Sequence, residues 1–256
     1  MWRPLRSTTV ADAPFLLLSI RRESDAADDE FQSVKRLAGL DDSSLRRINV
    51  SHEPLGKIDL GDWSGIVLGG GSFDVSDPDE SKSDTQKRAE AELFELLTRI
   101  VDIDFPFIGF GYSVGLLGAI IGATIDRAHS EPFGGLTVTL TDEGMRDPLF
   151  EPMPTEFDAY GGHQAAATAL PPDAVSLASS PDCPIQAFRV GVNVYVTQFH
   201  PELDLDGLRT RIGAYRNHGY VAPEAADELK SDARRFDVVH PSGILKRFAE
   251  RYARRR

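Results

Sequence analysis

The sequence predicts an α/β fold: an open, mostly parallel central sheet with helices on both faces and an antiparallel extension. Three observations carry that expectation. Over the first half of the chain, short apolar runs alternate with amphipathic segments, the pattern of strand–helix–strand crossovers in a parallel sheet. Glycine-rich turns follow two of those runs, at Gly69-Gly70-Gly71-Ser72 and between Gly109 and Gly115. From Leu136 onward, closely spaced β-type runs are joined by short turns instead.

Residues 15–20 form a short apolar run that reads as a buried first strand. Residues 25–38 are charged, with Phe31, Val34 and Leu37 at helical spacing. A second strand is expected near 48–50 and a third over 65–68, ending in the glycine turn. Residues 74–85 are polar and are expected to form a mobile loop beside a site. Helical spacing returns over 84–101. The next strand leads through Pro106-Phe107-Ile108-Gly109-Phe110 into Gly111-Tyr112-Ser113-Val114-Gly115 and a helix closed by Gly122. Further strands are expected over 136–140, 175–179, 185–190 and 194–199, with Gly191-Val192-Asn193 as a hairpin connection. After Pro201 the chain is expected to be helical, with Pro223 and Pro241 near helix starts. Open parallel sheets build their sites beyond the carboxyl ends of strands, where both glycine turns fall.

A chain of 256 residues can bury a substantial core, and we expect a single domain over 1–256 with a helical segment from about 205. The net charge of -12 argues against nucleic acid or an anionic membrane as a partner. Arg251, Arg254, Arg255 and Arg256 read as favourable charges at a helix C-terminus. Neither a signal peptide nor a membrane-spanning apolar run is apparent, so a cytoplasmic location is expected. The single cysteine, Cys183, excludes an intramolecular disulfide framework and a Cys-based metal cluster; no metal and no cofactor are expected. Cys183 lies between Asp182 and Pro184 at the start of an expected strand and reads as a small, partly buried side chain.

The most informative string is Gln198-Phe199-His200-Pro201-Glu202, just past an apolar run at 192–197. A His and a Glu two residues apart beyond a strand end can act as a base and its orienter. Gly111-Tyr112-Ser113-Val114-Gly115 is, literally, the G-x-S-x-G elbow of serine hydrolases, which makes Ser113 an alternative nucleophile. Its other reading is a hydroxyl that helps cap the first turn of the following helix.

The string QFHPE resembles the C-terminal signature of the class I glutamine amidotransferases, where this His and Glu complete a Cys-His-Glu triad. The resemblance covers roughly residues 12–252 and implies their flavodoxin-like fold. Leu140-Thr141-Asp142, Asp147-Pro148-Leu149, Leu170-Pro171-Pro172 and Cys183-Pro184-Ile185-Gln186 are similar to stand-alone members resembling the glutaminase part of GMP synthase, without an appended synthetase domain. Laid on the family elbow P-x-x-G-x-C-x-G, Pro106 and Gly109 match, the nucleophile cysteine falls on Gly111, and the next glycine becomes Ser113. A glutamine that helps hold substrate in many members is Gly115 here. The resemblance implies backbone oxyanion donors at Gly70 and Tyr112, and a pocket-bordering loop at His163. Active relatives form a glutamyl thioester and release ammonia; Gly111 cannot form that thioester. Three functions stay open at this point. One is a degenerate amidotransferase that binds a glutamine-like small molecule, or a synthetase or regulatory protein. Another is an enzyme whose natural form is active, and the last is a serine hydrolase using Ser113.

Overall fold

The structure is a computed structural model that describes residues 13–215 and 226–254. Five parallel strands form one side of its main sheet: β1 (Phe15–Ser19), β2 (Leu45–Asn49), β3 (Gly65–Leu68), β4 (Phe107–Phe110) and β11 (Val194–Thr197). The antiparallel extension adds β6 (Glu131–Leu140), β7 (Glu156–His163), β9 (Ala174–Ser179) and β10 (Ala187–Val190). The order across the sheet is β2-β1-β3-β4-β11-β10-β9-β6-β7. A separate two-stranded ribbon pairs β5 (Thr124–Asp126) with β8 (Ala166–Ala169).

The alternation of side chains along each strand explains how both faces are covered. In β1, Leu16, Leu18 and the following Ile20 join one core with Leu93, Leu97 and Ile100 of α2 (Asp84–Asp102) and Leu116 and Leu117 of α3 (Tyr112–Ile121). Phe15 and Leu17 point the other way, into a core with Val34 of α1 (Ser24–Leu37) and Ile244, Leu245 and Phe248 of α7 (Ser242–Tyr252). A short helix, α4 (Asp142–Arg146), follows β6. A third, smaller core packs Ala26 of α1 against Leu208 and Ile212 of α5 (Leu205–Tyr215), beside Ala226 at the start of α6 (Ala226–Asp232). Among the described residues no helix is long and apolar enough to cross a membrane.

Local chemistry sets the boundaries. Ser83 caps α2 by accepting from the Gln86 N–H at 3.2 Å, and Gly122 ends α3 in a left-handed conformation. Pro241 stands immediately before α7, while Pro223, Arg255 and Arg256 lie outside the described residues. Arg251 occupies the last turn of α7, as expected of a favourable terminal charge. Arg254 departs from that expectation: its N–H donates to Ser64 Oγ at 3.0 Å, and its backbone bridges Ala13.

Several elements differ from the sequence expectations. β2 starts three residues early, its exposed Arg46 and Arg47 hiding the strand pattern. β6 begins at Glu131, and β5, β7 and β8 were not expected at all. Cys183 lies in a turn rather than in a strand and is wholly buried, its thiol donating to the Ile185 carbonyl at 3.4 Å. Burial pushes that thiol up to about 11, which removes it from consideration as a reactive nucleophile near neutrality.

Candidate active site

β1, β3, β4 and β11 all end at the same pole, so the segments that follow them converge. Arg21 follows β1, Gly69-Gly70-Gly71 follow β3, Gly111 follows β4 and Gln198 to Glu202 follow β11. Gly111 forms the junction between β4 and α3 with φ 52° and ψ -99°, a conformation that side chains rarely adopt. Its N–H donates to Thr197 C=O at 2.8 Å, tying the junction to β11. A Cβ placed on Gly111 would stand 3.1 Å from His200 Nε2.

His200 is fixed from several sides. Its N–H donates to Tyr160 C=O at 2.8 Å, and its Nδ1 lies 2.9 Å from Glu202 Oε1. An ionised carboxylate only accepts, so Nδ1 carries the proton and Nε2 turns its lone pair toward Gly111. The close approach of the glycine turn seats the ring: a Cβ on Gly70 would fall 2.5 Å from His200 Cε1. Any residue other than glycine there would displace the imidazole.

Glu202 is fully buried, and it accepts from Arg211 Nη2 at 2.8 Å while Arg21 Nη2 stands 3.9 Å away. Burial alone would raise its carboxyl, but His200, Arg211 and Arg21 outweigh that effect and hold it well below the usual carboxylate range. It is therefore ionised at neutral pH. Arg21 is anchored in turn through Nε to Glu30 Oε1 at 2.8 Å, and Ser19 Oγ donates to Glu30 Oε2 at 2.9 Å. Arg21, Glu30, Arg211 and Ser19 were not anticipated. The signal lay in the helices: Glu30 shares the buried stripe of α1 with Ala26, Ala27 and Val34, and Arg211 sits beside Ile212 on the buried side of α5.

These groups border a cleft of about 60 Å³, lined by Arg21, Phe73, Tyr112, His163, Gln198 and His200 among others. One water needs roughly 10–15 Å³ on that measure, so the space suits a small molecule. Tyr112 closes one wall, its ring edge-on to Phe73 at 6.4 Å, and burial raises its phenol well above the ordinary value. The N-terminus of α3 lies at the same cleft, with Gly111 and Tyr112 in its lining, and a helix N-terminus favours negative charge. His163 also lines the cleft, and burial pushes its imidazole below the ordinary value. Asp74 and Val75, from the loop expected to be mobile, reach the cleft rim, and Arg127 pairs with Asp74 and Asp77.

Ser113 faces elsewhere. It is buried, its side chain packs over the backbone of Gly109, and its Oγ donates across the sheet to Leu68 C=O at 3.4 Å. The capping expectation is corrected accordingly, since Gly111 stands at the N-cap and no side chain caps α3. A hydroxyl turned into the strand ends has no base to activate it. A fluorophosphonate is expected to leave Ser113 unlabelled in intact-mass spectra; stoichiometric labelling that vanishes in a His200→Ala variant would establish the hydrolase reading instead.

The pole thus brings His200, the buried Glu202 and the glycine turns together at a small cleft, with Gly111 facing His200 Nε2. Comparisons with known proteins bear on the chain and its fold. The model of the family described as glutamine amidotransferase class-I matches residues 34–214. The GMP synthase [glutamine-hydrolyzing] of Acetivibrio thermocellus is 29% identical over 140 residues, covering 54% of this chain and 24% of that protein. That of Caldanaerobacter subterraneus is 30% identical over 156 residues, covering 60% and 27%. The chain thus spans about a quarter of the length of these curated relatives. A glutamine amidotransferase structure from Thermotoga maritima superposes with a TM-score of 0.72 at 22% identity, covering 94% of this chain and 98% of that one. The glutamine amido transferase of Methylobacillus flagellatus gives 0.71 at 15% identity, covering 95% and 96%. With the family model spanning well over half of its length, this chain belongs to the class I glutamine amidotransferases.

Proposed function

We propose that this chain is a catalytically impaired amidotransferase-like protein that binds a small glutamine-like ligand without hydrolysing it. The observation that carries this reading is Gly111, which offers no side-chain nucleophile at the point faced by His200 Nε2. The contact between His200 Nδ1 and Glu202 Oε1 supports the reading of a base and its orienter, and this reading assigns oxyanion donation to the Gly70 and Tyr112 amides. Without an attacking atom they provide only polarisation and binding. Loss of a triad nucleophile elsewhere lowers kcat by about 10⁶-fold. A second reading, a natural form with cysteine at position 111 and full activity, is favoured by the direction a side chain there would take, straight at the imidazole.

The matched relatives named GMP synthase continue well beyond the shared region. On that ground we propose a synthetase or a regulatory protein as the macromolecular partner of this chain. The cleft reading is tested by titrating glutamine into the protein in a calorimeter while ammonia is assayed in the same sample. Saturable binding without ammonia release is the expected result. Either no binding up to millimolar glutamine or clear turnover would sink it.

A further inference from the structure

Behind the cleft wall, three side chains from separate segments meet: Glu131 at the start of β6, His163 at the end of β7 and Cys183 in the turn before β10. One ligand atom from each lies within 4.8 Å of the others. All three are shielded, with side-chain exposures of 8% for Glu131 and 5% for His163, and 0% for Cys183. The His163 tautomer follows from its surroundings. Nε2 lies 2.9 Å from the His129 carbonyl, which only accepts, so Nε2 carries the proton in the neutral ring. Nδ1 is then a bare lone pair, buried without a hydrogen-bond partner among the described residues and 3.6 Å from Glu131 Oε2.

The Nδ1 lone pair and the Glu131 carboxylate face each other at 3.6 Å with no donor between them among the described residues, an opposition that a cation held with the Cys183 sulfur would relieve. We propose that Glu131, His163 and Cys183 form a Zn²⁺ site, with a fourth position left to water or another donor. The donor set of one sulfur, one nitrogen and one oxygen suits a borderline-soft ion rather than Mg²⁺ or Ca²⁺. Zinc bonds of about 2.0–2.3 Å place ligand atoms roughly 3.3–3.6 Å apart; His163 Nδ1 and Glu131 Oε2 already stand 3.6 Å apart, and all three ligand atoms lie within 4.8 Å of one another. The supporting shell is already built. His163 gives its other N–H to a carbonyl, and Glu131 accepts from Ser180 Oγ and Gln186 Nε2, which orient it while leaving acceptor capacity. Binding releases the Cys183 proton, so the sulfur enters as thiolate and its bond to the Ile185 carbonyl is given up. Because His163 also lines the cleft, the ion would pin that wall to the Cys183 turn. No sequence spacing signals such a site, since its members lie 32 and 20 residues apart.

The test uses the full chain, stripped with a chelator and then titrated with Zn²⁺ against a chromophoric chelator, with Co²⁺ in parallel. One equivalent of Zn²⁺ and a near-ultraviolet sulfur-to-cobalt charge-transfer band are expected; Cys183 is the only thiol in the chain, so that band reports it alone. Cys183→Ser should abolish the band and, like His163→Gln, weaken Zn²⁺ binding at least tenfold. Should Cys183→Ser fail to fold by circular dichroism, Glu131→Gln takes its place and should weaken binding to the same extent. The proposal is overturned if no band forms, if Zn²⁺ affinity is unchanged in a folded ligand variant, or if NMR shows His163 Nδ1 protonated at neutral pH and unaffected by Zn²⁺.

Discussion

In a Gly111→Cys variant, ammonia release from glutamine is expected to rise at least about 100-fold over the protein with Gly111, which stays at the uncatalysed background. The headroom is large, because a missing triad nucleophile elsewhere accounts for about 10⁶ in kcat. The new Cβ would point at His200 Nε2 from 3.1 Å, so the ring must yield by a few tenths of an ångström. A side chain at φ 52° is strained by about 1–3 kcal/mol, a strain that nucleophile elbows carry as part of their design. Ser113 and Gly115, which stand where the resemblance implies a Gly and, in many members, a Gln, keep the expected gain well short of a full active enzyme. The measurement is a coupled ammonia assay on the single variant and on Gly111→Cys combined with His200→Ala. The gain should disappear in the pair. No gain at all, or a gain that survives loss of His200, would show that this pole is not the catalytic one.

Glu202→Gln should lower the melting temperature by roughly 6–20 °C. Gln keeps the volume but removes the charge, which strands the buried guanidinium of Arg211. Breaking a buried ion pair from one side costs about 3–5 kcal/mol, and each kcal/mol moves Tm by about 2–4 °C for chains of about this size. The pH dependence has a definite sign. The folded carboxyl lies below its unfolded value near 4.5, so its stabilisation is complete above that value. It is lost progressively as pH falls from there toward the folded value. Thermal scans of both proteins between pH 7 and pH 3 should therefore show a constant gap down to about pH 5, which then narrows. A gap that is absent at pH 7, or that widens on acidification, would contradict the buried ion-pair geometry.

The parallel half of the sheet was legible because its strands are continuous apolar runs, buried on both faces, between helices with clear spacing. The elbow and the His200–Glu202 pair were legible for a different reason: their members are neighbours in sequence. The antiparallel edge was harder to read. β7 carries Asp158, Gly161 and Gly162, and β6 opens with Pro132, Gly134 and Gly135, so neither segment advertises a strand; their mutual ladder makes them strands. The alanines of β8 have weak β preference and owe their state to β5. Arg21, Glu30 and Arg211 escaped because a charge on an amphipathic helix or after a strand ordinarily means a solvated side chain. Only the way α1 and α5 lean together turns them inward.

The groups that hold His200 come from Arg21, Glu30, Gly70, Glu202 and Arg211, nearly the whole span of the described fold. This has a kinetic consequence. The links that Arg21 and Gly70 make to this group close long loops and are entropically expensive early, whereas Glu202 and Arg211 lie close to His200 in sequence, so the imidazole reaches its seat only when β11 and α5 have docked on the earlier strands. A nascent chain still lacking α5 would carry the elbow, the glycine turn and even the base without a working constellation. Occupancy of the cleft would then act as a reporter of completed folding: a ligand at 100 times its Kd stabilises the native state by about 2.7 kcal/mol and does nothing for any shorter intermediate.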